Sequence, residues 1–219
     1  ADAAGLLRNY ALSSIAAHLS TMFNLGGPSL TVSTACSSGN VAIGVALRKI
    51  LSGKADVMIA GGVDVLSDFA FSGFSALQAM TFDRVRPFDK KRSGLALGEG
   101  AAFIMLEKEA HALDRNARIY GRIAGYAATS DATHLTGPHK EGRGLSEAID
   151  LAMREAGIGP SEIDYISSHG TGTVYNDLME TKAVKAALWS YAYGIPMSSI
   201  KSMLGHSFGA AGVIEGISC

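Results

Sequence analysis

Residues 30–51 read LTVSTACSSGNVAIGVALRKIL, a β-rich run that passes straight into a helix. Its opening, SLTVSTA from Ser29, is a short β-rich run. From Ser37 to Leu51 the apolar residues Val41, Ile43, Val45, Leu47 and Ile50 fit a helix, with Arg48 and Lys49 in the last turn before Gly53. Cys36 sits between the two. A strand that turns directly into a helix is the unit of α/β layering, and the turn presents its side chain at the sheet's carboxyl edge. The first-turn N–H groups favour an anion there, so the sequence predicts a lowered thiol pKa and an enlarged thiolate fraction. The small neighbours Ala35, Ser37, Ser38 and Gly39 leave the turn open to a substrate. A free cysteine is also often a small buried hydrophobe, and context alone leaves both readings open. Cys219 ends the apolar run AGVIEGISC and reads as packing only.

Two later segments repeat the pattern. SSHGTGT, residues 167–173, places His169 after the apolar run IDYIS, and SIKSMLGHSFGAAG, residues 199–212, carries Lys201 and His206. Both histidines follow a predicted strand, where open α/β sheets place their sites. Lys201, flanked by Ile200, Met203 and Leu204, is expected to be partly buried and to need an acidic partner, Glu215 or Glu180. A thiol, two imidazoles and an ammonium suit chemistry on a thioester or other acyl group. Metal ligation is the competing use of these residues, but their spacing matches no known metal site. Glycines at 61–62, 98–100, 170–172 and 209–212 form neither a P-loop nor a full GxGxxG, which argues against a nucleotide.

Outward from these sites, strands and helices alternate. Helices are predicted over 11–24, 146–156 and 176–189. Strands are predicted over 56–60, 101–106, 118–126 and 163–168, and in PMSSIKS (196–202), with a polar loop at 82–94 and a mixed segment at 66–80. This implies α/β layers around a largely parallel sheet, with each half running strand, site, helix.

Among the 219 residues 47% are hydrophobic and 18% charged, with mean hydropathy +0.20, which excludes a disordered chain. The net charge of −1, without charge blocks, suggests no nucleic-acid or anionic-membrane surface. Two cysteines make no disulfide framework, and no apolar run approaches a membrane span of roughly 18 residues, so a reducing, cytoplasmic setting is expected. The chain lacks an initiator Met and stops inside an apolar helical pattern, so it is expected to be part of something longer.

The ordered words TACSSG, HGTGT and KSMLGHSFGAAG closely resemble those of elongating β-ketoacyl-ACP synthases of the thiolase superfamily. RPFDKKRSGLALGEGAAFIMLE (86–107) and SDATHLTGP (130–138) are similar to further words of that family, although Ser93 and Leu95 stand where Asp and Phe are usual. The resemblance covers nearly the whole chain. It is nearest to the synthase II and type II polyketide ketosynthase group, and Asn176, Asp177 and Glu180 after HGTGT lean toward the polyketide side.

The resemblance implies a thiolase-like α/β fold, layered αβαβα with internally duplicated halves and truncated at both ends. Residues 1–112 would form the rest of the N-terminal half with the nucleophile, and 113–219 the start of the C-terminal half with the His and Lys motifs. It implies that Cys36 accepts an acyl group, that His169 and His206 stabilise negative charge on a malonyl thioester, and that Lys201 holds His169. Thr136, Thr171 and Thr173 match positions touching a phosphopantetheine arm, Phe74 resembles an acyl-pocket wall, and Glu180 and Glu215 give structural support. No bound cofactor is implied, since the substrates ride on acyl carrier protein. The partners implied are that carrier and a second ketosynthase-type subunit, identical or not. Without the family's glycine-rich C-terminal loop, these 219 residues alone are expected not to condense substrates. Two other readings are a cysteine hydrolase or plain acyltransferase, and a non-catalytic partner subunit of chain-length-factor type. The pair of histidines, the lysine and the retained Cys36 favour condensation over both.

Overall fold

The structure, a computed structural model, describes residues 11–134 and 137–219. The first half centres on two eight-residue strands, β1 (Val57–Asp64) and β2 (Gly100–Glu107). They pair antiparallel in unbroken register from Val57↔Glu107 to Asp64↔Gly100. This corrects the expectation of a largely parallel sheet. The connection through 65–99 returns to the end of β1 that it left, so Gly100 starts opposite Asp64 and the neighbour must run backwards. In the second half β3 (Ile166–Ser167) and β4 (Met197–Ser198) are parallel, as expected for strands joined by a helical crossover.

Helix α1 (Ser14–Met22) leads to α2 (Ser38–Leu51), which packs on β1 and buries Gly39, Gly44, Ala46 and Ile50. The mixed segment before the polar loop folds as α3 (Asp68–Ala76), started by the Ser67 hydroxyl accepting from Ala70 N–H at 3.2 Å. After β2 comes the short α4 (Glu109–Asp114). The second half pairs α5 (Arg143–Ala156) with α6 (Val174–Leu188). Met153, Val184, Ala187 and Leu188 form the core between them, covered by Ile166 and Met197 of β3 and β4. The short α7 (Lys201–Leu204) and α8 (Ala211–Ser218) follow, and α8 packs on both α2 and β2.

Two predicted strands do not form. Residues 29–33 join no ladder, and 118–126 form no strand. A strand is made by its partner, and the β-propensity of Thr31, Val32, Ile119 and Tyr120 cannot replace one. What ties the second stretch down is Glu155, which accepts the Tyr126 N–H at 2.9 Å and pairs with Arg48 of α2.

A close backbone approach brings the halves together at the site. A Cβ on Gly39 of α2 would lie 2.9 Å from the Gly209 carbonyl oxygen and from Val213 of α8, and one on Gly62 of β1 would lie 2.4 Å from that same oxygen. Only hydrogen fits at either position, so the start of α2 and the segment after His206 are held in direct contact.

Candidate active site

Cys36 lies in a turn that its neighbours over-determine. Ala35 has φ +52, a left-handed value unusual for a residue with a Cβ. The Ser37 hydroxyl donates to Thr34 O at 2.8 Å, the Ser38 hydroxyl to Ala35 O at 2.7 Å, and Thr34 N–H donates to Ser38 Oγ at 2.8 Å. The serines flanking the cysteine thus serve the turn first. Cys36 stands two residues before α2 and is half-buried.

His169 is set by a carboxylate beneath its turn. Glu180 of α6, itself buried, accepts His169 N–H at 2.6 Å and Gly170 N–H at 2.8 Å, with Asn176 Nδ2 at 3.2 Å. Burial pushes the Glu180 carboxyl up, and the two backbone N–H groups pull it back. One turn earlier Asp177, 1% exposed, accepts Phe88 N–H at 2.7 Å and Gly172 N–H at 3.2 Å, with Arg92 3.8 Å away. Asp177 therefore ties the 82–94 loop to the glycine turn after His169.

Lys201 is 2% exposed and pairs with Glu215 of α8, not with Glu180. It also donates to His169 O at 2.7 Å and lies 3.3 Å from Nδ1 of the same residue. Burial pushes the Glu215 carboxyl up while Lys201 draws it down. His206 is held by backbone bonds to the strand-like stretch before β2, its N–H to Ala96 O at 2.8 Å and its O from Gly98 N–H at 2.9 Å. Its Nδ1 accepts the Phe208 N–H at 3.2 Å, and its Nε2 is 3.0 Å from Cys36 Sγ. The two imidazoles meet edge to face with centroids 5.1 Å apart.

These partners fix the tautomers. An Nδ1 that accepts a backbone N–H or faces an ammonium carries no proton, so each neutral ring keeps its proton on Nε2. Both rings stay neutral. Burial and then Lys201 lower His206 to about 4, and burial, Lys201 and His206 hold His169 well below 6.5. The site therefore offers two neutral Nε2–H donors, one aimed at Cys36 Sγ, where a group accumulating negative charge would be stabilised.

The thiol itself corrects the expectation of a lowered pKa. Burial pushes Cys36 up, Lys201 opposes it, and Asp64 and Glu215 add to it. The helix N-terminus is present, but loss of water outweighs it in this half-buried turn.

One donor atom from each of Cys36, His169 and His206 lies within 4.8 Å of the others, close enough to surround a metal ion. The chemistry of the set fits poorly. Both Nδ1 contacts leave Nε2 protonated rather than free to ligate, and Lys201 beside His169 repels a cation.

The structure thus brings Cys36, His169, His206, Lys201 and Glu215 together, with Glu180 beneath the His169 turn. Thr171 is buried and its hydroxyl pairs with that of Thr173 at 2.8 Å. Phe74 of α3 packs on Phe208, with centroids 5.5 Å apart. Thr136 lies outside the described residues. Sequence reasoning missed the roles of three neighbours. Asp177 and Phe208 are described above and below, and Asp64 at the end of β1 accepts Gly209 N–H at 2.9 Å. An acid in a helix's first turn, five residues past Gly172 in a turn that needs acceptors, was the signal available for Asp177.

Residues 3–112 match the N-terminal domain of beta-ketoacyl synthases and 120–219 match their C-terminal domain, so the chain belongs to the β-ketoacyl synthase family. It is 43% identical over 206 residues to the 3-oxoacyl-[acyl-carrier-protein] synthase 2 of Synechocystis, covering 90% of this chain and 50% of that one. A solved type II polyketide acyl-carrier protein in complex with its hexaketide-bound ketosynthase superposes with TM-score 0.94 at 35% identity, covering 97% of this chain and 54% of that one. The ishigamide ketosynthase/chain length factor gives 0.92 at 39%, covering 98% and 52%. The fold is therefore the thiolase-like α/β fold of ketosynthases. The chain spans about half the length of the curated relatives it matches.

Proposed function

We propose that the protein carrying this chain is a β-ketoacyl-ACP synthase, and that it joins an acyl group held on Cys36 to malonyl-carrier protein with loss of carbon dioxide. The observation that carries this reading is the pairing of Cys36 Sγ with His206 Nε2 at 3.0 Å, beside a second imidazole whose Nδ1 faces Lys201.

In the first stage Cys36 sulfur attacks the carbonyl carbon of an acyl-carrier thioester. The bond to the carrier's phosphopantetheine sulfur breaks, and the Cys36 proton ends on that departing thiol. The His206 Nε2–H eases this step by donating to the sulfur as its proton leaves. In the second stage malonyl thioester enters. Its carboxylate leaves as carbon dioxide, and the electron pair of the broken C–C bond moves onto the thioester oxygen. The two Nε2–H donors hold that enolate oxygen, and donors of this kind are each worth about 10²–10³ in rate where charge develops. The enolate carbon then attacks the acyl-Cys36 carbonyl, the C–S bond breaks, the β-ketoacyl group stays on the carrier, and Cys36 leaves as a thiolate that takes a proton from water. Lys201 is the positioning cation of His169, and Glu180 and Glu215 support the two histidine segments.

The substrates ride on acyl carrier protein, with Thr171, Thr173 and Thr136 along the phosphopantetheine arm and Phe74 at the acyl wall. A second ketosynthase-type subunit completes the assembly, and the likeness to a ketosynthase/chain length factor supports a heterodimer as readily as a homodimer. Among the described residues no helix is long and apolar enough to cross a membrane. The test is to incubate the full-length protein with a panel of acyl-carrier proteins and weigh it. Acyl mass on Cys36, absent in Cys36→Ala, is expected, followed by carbon dioxide release from malonyl-carrier protein. A protein that takes no acyl group at Cys36 from any carrier sinks the reading and favours a non-catalytic partner subunit.

A further inference from the structure

Phe208 has φ +47, in the left-handed region that a bulky side chain enters only against steric cost. The segment around it already uses Gly205, Gly209 and Gly212, and a glycine at 208 would carry no such cost. Strain of this kind persists where the surroundings over-determine it, and it clusters at functional sites.

The contacts of Phe208 converge on one neighbour. Its N–H donates to His206 Nδ1 at 3.2 Å. Its ring stacks on the His206 ring with centroids 5.4 Å apart and planes 23° from parallel. Phe74 of α3 lies 5.5 Å from Phe208, tilted by 50°, and backs the stack. The bond from Gly209 N–H to Asp64 anchors the following residue to β1. The backbone of His206 is fixed by Ala96 and Gly98, which leaves rotation of the ring as its remaining freedom. His169 meets the ring edge to face, and the stack on Phe208 is the contact that covers its flat face.

We propose that the Phe208 side chain is a positioning residue: backed by Phe74, it fixes the plane of the His206 imidazole so that Nε2–H stays aimed at Cys36 and at the oxygen that gathers charge. The inference rests on the reading of His206 as a donor to substrate. It gives the left-handed conformation of Phe208 a purpose that the backbone N–H alone does not, because a glycine would supply the same N–H without the cost.

The test uses the full-length protein with Phe208→Gly and Phe208→Tyr. Three readouts are compared: melting temperature, kcat and KM for carbon dioxide release from malonyl-carrier protein, and the ¹⁵N shifts of the His206 ring. Phe208→Gly is expected to melt no lower than the parent and to lose roughly tenfold or more in kcat with KM within about twofold, and its Nδ1 and Nε2 shifts are expected to average, because a ring free to turn leaves the backbone N–H that holds it in one tautomer. Phe208→Tyr keeps the stack and is expected to retain most of kcat. A Phe208→Gly protein with parental kcat overturns the proposal, and so does a loss that Phe208→Tyr shares in full. A parent that releases no carbon dioxide sinks the condensation reading instead. The His206 shifts then decide alone, with unchanged shifts in Phe208→Gly overturning the proposal and averaged ones upholding it.

Discussion

Lys201 donates to the His169 carbonyl oxygen at 2.7 Å while its ammonium pairs with Glu215 and lies 3.3 Å from His169 Nδ1. One cation thus holds both the backbone and the ring of a histidine, and it is tethered to the helix that packs on α2. Removing it leaves Glu215, 9% exposed, without its counter-charge. Breaking a buried pair in this way costs about 3–5 kcal/mol, whereas replacing both partners by apolar groups is often close to neutral. Lys201→Met is therefore expected to lower stability by about that amount in urea unfolding, and Lys201→Met/Glu215→Leu to recover most of it. Decarboxylation is expected to stay lost in both, because His169 Nδ1 has lost the group that keeps it unprotonated. Recovery of carbon dioxide release together with stability in the double variant would show that Lys201 serves packing alone.

The lowered His206 pKa makes a signed prediction about acid stability. With a folded value of about 4 against an ordinary 6.5, the unfolded chain binds the proton first as pH falls. The stability this group contributes is complete above 6.5 and is lost between there and about 4. By pH 4.5 the loss is on the order of 2 kcal/mol. Burial raises Glu180 and Glu215, which act with the opposite sign, so the comparison must cancel them. The stability of the parent relative to His206→Gln, from urea midpoints at pH 7 and 4.5, is expected to fall by that amount. A constant difference across the two pH values would contradict a neutral, buried His206.

What the sequence disclosed and what it hid divide along a physical line. Helix α2 was legible because Arg48 and Lys49 mark a last turn and Gly53 marks a stop, and it forms over Ser38–Leu51. The three site segments were legible because each places a reactive residue among small ones at an element's end. Strand partners were not legible. Residues 118–126 read as a strand from Ile119, Tyr120 and Ile123, yet a strand needs a neighbour, and pairing is a property of the fold rather than of the segment. The antiparallel run of β1 against β2 escaped for the same reason. The thiol pKa was misjudged because sequence shows the helix that follows Cys36 but not the burial around it. Lys201 visibly needed an acid, but choosing Glu215 over Glu180 required knowing that Glu180 is occupied by two backbone N–H groups.

Asp177 fastens the 82–94 loop, so its loss should be read there. Asp177→Ala strands the part-buried N–H of Phe88 and the buried N–H of Gly172, and an unmet buried bond costs about 1–3 kcal/mol. Arg92, which donates to Thr173 O at 3.2 Å and Val174 O at 3.0 Å, keeps its carbonyl partners, so the loop is expected to loosen rather than the fold to collapse. Trypsin should then cut after Arg84, Lys90 or Lys91 several times faster than in the parent, with cleavage elsewhere unchanged. Equal rates at these sites would mean that Arg92 alone is enough to hold the loop.

Trp189 offers a stabilising change away from the site. It ends α6 at φ +50 and ψ −127, a conformation that costs a residue with a Cβ about 1–3 kcal/mol. Its side chain is 70% exposed, so it recovers little of that by burial. Glycine removes the strain but carries a larger unfolded-state entropy, worth about 0.5–1 kcal/mol. The balance favours Trp189→Gly by roughly 1 kcal/mol, which for a chain of this size raises the melting temperature by about 2–4 °C. Lys185 lies 5.0 Å over the neighbouring Tyr193 ring and the Leu188 side chain is buried in the core, so both contacts persist in the variant. A melting temperature that falls in Trp189→Gly would show that the exposed indole contributes more to the end of α6 than its backbone conformation costs.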